Sequence, residues 1–212
     1  MTKSKLSFPD IFYIFLFGCF FGWIVEGIWS YLKRGILINH SALVIGPFNI
    51  VYGISAVVLT IFLYKLRDKN VIEIFGISFV VGTILEYILS FLMEKIVGFV
   101  AWNYSKKPFN INGRVCLMYS IFWGILGLIW IKFIYPQIKK IIDQFNKKNS
   151  KKFIIIMIIF LMFNTALTFA AINRAREFEK GIEPSNKLEV VLDKYFDVDY
   201  LNNMFNNRWN KK

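Results

Sequence analysis

Two glutamates occupy the same place in one short pattern, Gly22-x-x-x-Glu26-x-x-x-Ser30 and Gly82-x-x-x-Glu86-x-x-x-Ser90, sixty residues apart and each inside an apolar run. Residues four apart share a helix face. One face therefore carries Gly18, Gly22, Glu26 and Ser30, and the other Ser78, Gly82, Glu86, Ser90 and Glu94. The small residues let neighbouring helices approach closely, which accounts for the glycines by packing alone. The carboxylates need another account, because an acid in the middle of a membrane helix costs roughly 2.5–3.5 kcal/mol even on the lenient insertion scale. Either they are protonated or paired structural groups, or they line a polar cavity through which a substrate or proton passes. Intramembrane acids favour the cavity.

A second polar group lies between the third and fourth apolar runs, in Trp102-Asn103-Tyr104-Ser105-Lys106-Lys107-Pro108-Phe109-Asn110-Ile111-Asn112-Gly113-Arg114. Trp102 and Tyr104 suit a membrane boundary as anchors. Asn110, Asn112 and Arg114 crowded beside a glycine point to a shaped re-entrant or capping loop. Glu94 stands near the outer boundary beside Lys95, and Arg114 is the countercharge at that level, able to clamp a carboxylate or phosphate in bidentate fashion. The first half of the chain offers a counterpart in Asn39-His40-Ser41 followed by Gly46-Pro47-Phe48-Asn49. Pro47-Phe48-Asn49-Ile50 recurs as Pro108-Phe109-Asn110-Ile111, and Gly53 as Gly113. His40, the single histidine, reads as a loop surface residue.

The elements that must position these residues follow from composition. Of 212 residues 56% are hydrophobic and 18% aromatic, against roughly 45–50% apolar in an average soluble chain. The apolar residues come in blocks long enough to cross a bilayer. A soluble enzyme, a coiled coil, a disordered tail and a disulfide-stapled secreted domain are excluded together. The fold class is an all-α integral membrane protein with about five transmembrane helices, expected near Ile11–Tyr31, Ile45–Tyr64, Val71–Met93, Val115–Ile134 (closed by Pro136) and Phe153–Asn173. The first two spans and the next two are read as tandem helical hairpins, parallel repeats of a kind known in transporters; chance recurrence among small residues is the alternative. The expected units are residues 1–136, a four-helix core; 137–173, a basic linker and fifth span; and 174–212, a tail with short amphipathic stretches.

Lys3, Lys5 and the first apolar run imitate a secretory leader, and Leu16-Phe17-Gly18-Cys19 a lipoprotein cleavage site, but the run continues through Ile24 and suits a retained helix. The net charge of +12 is dispersed over membrane-flanking loops, which speaks for topology and against nucleic-acid binding. Lys132 to Lys152 holds seven lysines and one acid, Asp143; with the head and the Lys65–Lys69 turn it falls on one side of a five-span chain. Placing that side in the cytoplasm puts the N-terminus inside, the tail outside, and both intramembrane glutamates in the outer half of a cell membrane. Cys19 and Cys116 lie in apolar blocks and suggest neither a bridge nor a metal site.

Several stretches resemble a known family of small membrane proteins, Putative ABC-transporter type IV, or CmpB-like permeases. They are Gly22-Trp23-Ile24-Val25-Glu26, Gly46-Pro47-Phe48 with Tyr52-Gly53, Glu86-Tyr87, Met93-Glu94-Lys95, Trp102–Arg114 and Phe122-Trp123-Gly124. This chain has His40-Ser41 where the family usually has Arg-Gly, and Asn103 where it usually has Asp. The resemblance implies transport. The chain has no Gly-x-x-x-x-Gly-Lys-Ser/Thr loop, so an ABC role needs a separate ATPase subunit docked on the basic loops. Five spans are few for a pathway, which favours a homo-oligomer.

The expectation is thus a permease-like subunit embedded in the bilayer, without a cofactor. Glu26, Glu86, Glu94, Arg114, Asn110, Asn112, Trp102, Tyr104, Asn39 and Tyr52 are the candidate pocket residues. Two alternatives stand beside it. One is a membrane-embedded enzyme acting on a lipid-linked or envelope substrate; no nucleophile–base pair or metal cluster supports it. The other is a scaffold whose tail, with Val190-Val191-Leu192, Tyr195-Phe196 and Met204-Phe205, lies on the membrane or on a partner.

Overall fold

A computed structural model describes residues 6–96, 98, 100, 102–145 and 150–205. The basic head with Lys3 and Lys5, Lys147 and Lys148 of the linker, and residues 206–212 of the tail lie outside that range. Apolar runs became helices: α1 Phe8–Arg34, α2 Ile50–Leu63, α3 Val71–Ile96, α4 Leu117–Ile129, α5 Tyr135–Phe145, α6 Ser150–Phe178, α7 Lys187–Tyr195 and α8 Val198–Phe205. A short antiparallel ribbon, β1 Asn110–Ile111 with β2 Val115–Cys116, precedes α4. Four of the described helical stretches are long and apolar enough to span a membrane, and α2 is a shorter apolar helix. The protein is an all-α membrane protein of about five membrane helices.

The second and fourth spans differ from their sequence-based outlines. The second begins five residues later than Ile45, at Ile50, where Asn49 caps the helix by accepting from the Tyr52 backbone N–H. Its 14 residues rise about 21 Å, short of the roughly 30 Å hydrocarbon core. Pro136 does not end the fourth span. A π-helical turn, Trp130–Ile134, joins α4 to α5 with Tyr135 N–H bonded to Trp130 C=O; the wider turn accommodates a residue that has no N–H to give. Much of the expected linker is therefore the amphipathic continuation of a helix. Its Ile138 and Ile142 are buried in one cluster with Phe12, Tyr13 and Ile14 of α1.

Glycine faces set the closest helix contacts. A Cβ on Gly22 would collide with the Tyr52 ring and one on Gly82 with the Trp123 ring. Gly53 packs on Phe15 and Cys19, and Gly124 on Phe75. At one end of the bundle Lys139 pairs with Asp10 at 2.8 Å, while Lys132 Nζ donates to the carbonyls of Arg67 (2.6 Å) and Lys69 (3.2 Å). The start of α1, the α2–α3 turn and α5 thus share one end.

At the opposite end the tail folds back on the chain. Leu192, Leu201 and Phe205 are buried with Ala171, Ile172 and Ala175 of α6 and with Val44. Arg174 holds the fold-back through Asp193 (2.8 Å) and the carbonyl of Ile182 (2.9 Å).

Candidate functional site

After α1 the chain runs back down along that helix instead of turning over its end. Ile38 N–H donates to Ser30 Oγ (3.0 Å), Trp23 Nε1 donates to Asn39 Oδ1 (3.0 Å), and Asn49 N–H reaches Cys19 C=O (3.1 Å). Residues 36–49 are therefore irregular backbone beside the middle of a spanning helix. Such backbone survives at membrane depth only where protein or a water-filled cavity satisfies it. Here α6 supplies the partners. Asn164 accepts from Ile45 N–H (3.1 Å) and donates to Ile45 C=O (2.7 Å), and Thr168 Oγ1 accepts from Val44 N–H (3.0 Å). Tyr200 of α8 donates to Val44 C=O at 2.6 Å.

This descent carries His40 to Glu26. Its Nδ1 lies 3.7 Å from Glu26 Oε2, with the two side chains only 16% and 28% exposed. The expectation of a surface histidine is corrected: the re-entrant course buries it beside an acid. The other Glu26 oxygen accepts from Tyr52 OH at 2.9 Å. Glu86, buried at 6% exposure, accepts from Tyr104 OH (3.0 Å) and Trp123 Nε1 (3.1 Å). Tyr104 belongs to the loop before α4. Burial and the neighbouring Glu86 hold its phenol pKa well above the usual value, so the hydroxyl remains a donor.

The two acids belong to one cluster, since a chain of ring contacts leads from Tyr104, the donor to Glu86, to Trp29, which lies one helical turn beyond Glu26 on α1. Tyr104 stacks on Tyr119 with centroids 4.5 Å apart, Tyr119 meets Phe122 edge-on at 5.7 Å, and Phe122 meets Trp29 of α1 at 6.2 Å. The rings join α1 to α4 around the carboxylates.

Of the candidate residues, Glu26, Glu86, Tyr52 and Tyr104 come together. Arg114, Glu94, Asn112 and Trp102 form a separate group at the end of α3. Arg114 binds Glu94 and Ser90 Oγ (3.2 Å), lies over the rings of Tyr87 (5.8 Å) and Phe91 (5.5 Å), and gives its carbonyl to Trp102 Nε1 at 2.9 Å. Asn112 donates to Tyr87 OH at 2.9 Å. Asn110 is tied within its hairpin, donating to the carbonyls of Ser105 (3.2 Å) and Lys107 (2.8 Å) and accepting from Gly113 N–H (3.1 Å). Gly113 has φ +68°, and a Cβ there would lie 2.9 Å from Asn103 Oδ1. Asn39 accepts from Trp23 Nε1, Ser41 N–H and Ser41 Oγ, and so shapes the re-entrant segment.

Sequence reasoning omitted His40, Tyr119, Trp123 and Asn164 from the site. Trp123 carried a signal, since Tyr52-Gly53 and Trp123-Gly124 are each an aromatic residue followed by glycine. His40 was marked as the single histidine but read as a surface residue, and Tyr119 and Asn164 were not singled out.

An all-α membrane protein with a broken second helix and paired intramembrane acids is the class these features define. The family model Putative ABC-transporter type IV matches residues 13–169. The chain belongs to that family. No curated protein matches it, and no solved structure does.

Proposed function

We propose that the chain is the membrane-embedded subunit of a cell-membrane transporter, with Glu26 and Glu86 lining one polar site. The observation that carries this reading is the irregular segment 36–49 at membrane depth, which brings His40 against the Glu26 carboxylate. Interrupted helices next to ionisable groups are the usual construction of substrate and coupling-ion sites in transporters. Carboxylates ringed by phenols and indoles favour a positively charged group or a proton over an anion. His40 can balance Glu26 when no cation is present.

Matching contacts favour a tandem repeat. Phe15–Gly53, Gly22–Tyr52 and the Tyr52–Glu26 bond correspond to Phe75–Gly124, Gly82–Trp123 and the Trp123–Glu86 bond. The offset is sixty on the first helix and seventy-one on the second, so Gly53 corresponds to Gly124 and not to Gly113, and the longer loop before α4 takes up the difference. In this reading the glutamates are equivalent positions of two parallel hairpins, facing a shared site from two sides.

The energy source is a separate ATPase. The N-terminus and the Lys-bearing end lie in the cytoplasm, and the glutamate site opens to the outer side. The tail's buried apolar residues are used against α6 and Val44, which favours the site over a scaffold as the seat of function. The test is isolation in mild detergent, followed by reconstitution with whatever ATPase co-purifies and uptake assays on a panel of inorganic and organic cations. ATP-dependent uptake of a cation, lost in Glu26→Gln and Glu86→Gln variants that still insert, is the expected result. Absence of a co-purifying ATPase, or full uptake in both variants, overturns the proposal.

A further inference from the structure

Away from the acids, α1 and α6 do not close on one another as the glycine-faced pairs do. Among the described residues their rings meet where Tyr13 of α1 stacks on Phe153 at 6.0 Å, and α6 also meets Phe48 of the segment before α2 through Phe160 at 5.9 Å. Phe153 and Phe160 are two helical turns apart, about 10 Å along the axis. Between them lies an open groove of about 270 Å³ walled by Leu16, Phe17, Phe20, Ile142 and Met157. The wall offers almost no polar surface, so water would lack the partners it needs to stay. An empty space of this size would forfeit the dispersion contacts of everything lining it. Hydrocarbon is the occupant that fits.

Basic residues flank two of the lining residues, Phe153 and Ile142, along the chain. Lys151 and Lys152, both exposed, stand in the first turn of α6 next to Phe153. Lys139 precedes the lining residue Ile142 by one turn on α5, and is balanced by Asp10 and Asp143. Among the described residues no ion pair is seen for Lys151 or Lys152, so they bring positive charge within a turn of an apolar slot. That pairing matches a ligand with a negative head and an aliphatic tail, and a leaflet rich in anionic lipid supplies it.

We propose that the α1–α6 groove binds one acyl chain of an anionic phospholipid, whose phosphate rests on Lys151 and Lys152. The lipid acts as a filler that fastens α6, and with it Asn164 and Thr168, to the rest of the bundle. This site is independent of the glutamate cluster and stands or falls separately from the transport reading.

The test is lipid retention measured by native mass spectrometry on the full chain released from nanodiscs of equal parts phosphatidylglycerol and phosphatidylcholine. The wild type should retain phosphatidylglycerol over phosphatidylcholine in a ratio about threefold or more above that of the bulk mixture. Lys151→Gln with Lys152→Gln should bring the ratio back to bulk. Met157→Trp, which fills the groove, should lower retention, whereas Ile155→Trp, on an exposed position of the same helix, should not. Wild-type retention at the bulk ratio overturns the proposal even if a variant fails to fold. So does phosphatidylglycerol enrichment that survives both the lysine and the groove-filling substitutions.

Discussion

Asn164 and Ile45 are joined by two hydrogen bonds, the side-chain amide of one closing on both backbone groups of the other at 3.1 and 2.7 Å. One polar side chain of α6 thereby satisfies both backbone groups of a residue that would not otherwise tolerate its depth, as Thr168 does for the N–H of Val44. Each orphaned group would cost roughly 1–3 kcal/mol. Asn164→Leu should therefore lower the Tm in detergent clearly, whereas Thr165→Val, whose hydroxyl bonds only to Leu161 of its own helix, should change it little. Equal Tm values for the two would mean that α6 does not support the re-entrant segment.

The helix contacts make a paired prediction. Gly22→Ala and Gly82→Ala place a methyl group against the rings of Tyr52 and Trp123, an overpacking that costs about 1–3 kcal/mol. Gly27 and Gly76 have nothing within 4 Å of the same position. Alanine there should be neutral or stabilise by up to about 1 kcal/mol through helix propensity. Thermal unfolding of the four variants checks the contrast.

Tyr104 links pH to stability. Burial first, and Glu86 second, raise its pKa above the ordinary value of 10.0. The folded state thus holds the phenolic proton more tightly than the unfolded one. Its contribution is fully present below pH 10 and is lost as pH rises from there towards the folded-state pKa. Stability of the wild type should fall above about pH 10 more steeply than that of Tyr104→Phe, read from unfolding curves at stepped alkaline pH.

Arg114 is a stacked, bidentate-capable group and not a simple charge. Arg114→Lys keeps the charge near Glu94 but gives up the planar contact with Tyr87 and Phe91. It should loosen the 102–116 loop, seen as faster limited proteolysis. Glu94→Gln should have the smaller effect, since its side chain is 41% exposed and exposed pairs contribute about 0–1 kcal/mol.

The membrane class and the approximate extent of α1, α3 and α6 were legible in residue order, because length and hydropathy alone decide what a bilayer accepts. The break before Ile50 was legible only in part. Gly46-Pro47 is a local turn signal, but Ile45 and Phe48 are as apolar as the helix that follows, and what holds the segment at depth is a set of distant partners, Asn164, Thr168 and Tyr200, that no local window contains. His40 was misread for the same reason, since a loop that folds inwards has the composition of one that stays outside. Pro136 shows the opposite failure: a strong local helix-breaking signal was overridden by a π turn and by the packing of Ile138 and Ile142. The glutamate pattern located two acids, but only folding added the tyrosine and tryptophan donors that bring them into one cluster.

The central claim is that water reaches Glu26 and Glu86 together inside the bundle. In a Cys19→Ala, Cys116→Ala background reconstituted in nanodiscs, single cysteines at Glu26, Glu86 and the neighbouring lipid-facing Val25 would be exposed to a charged, membrane-impermeant thiosulfonate. The account predicts that Glu26→Cys and Glu86→Cys are modified while Val25→Cys is not. Modification of none of the three by the charged reagent, with all three labelled at similar rates by a lipid-soluble maleimide, would contradict it.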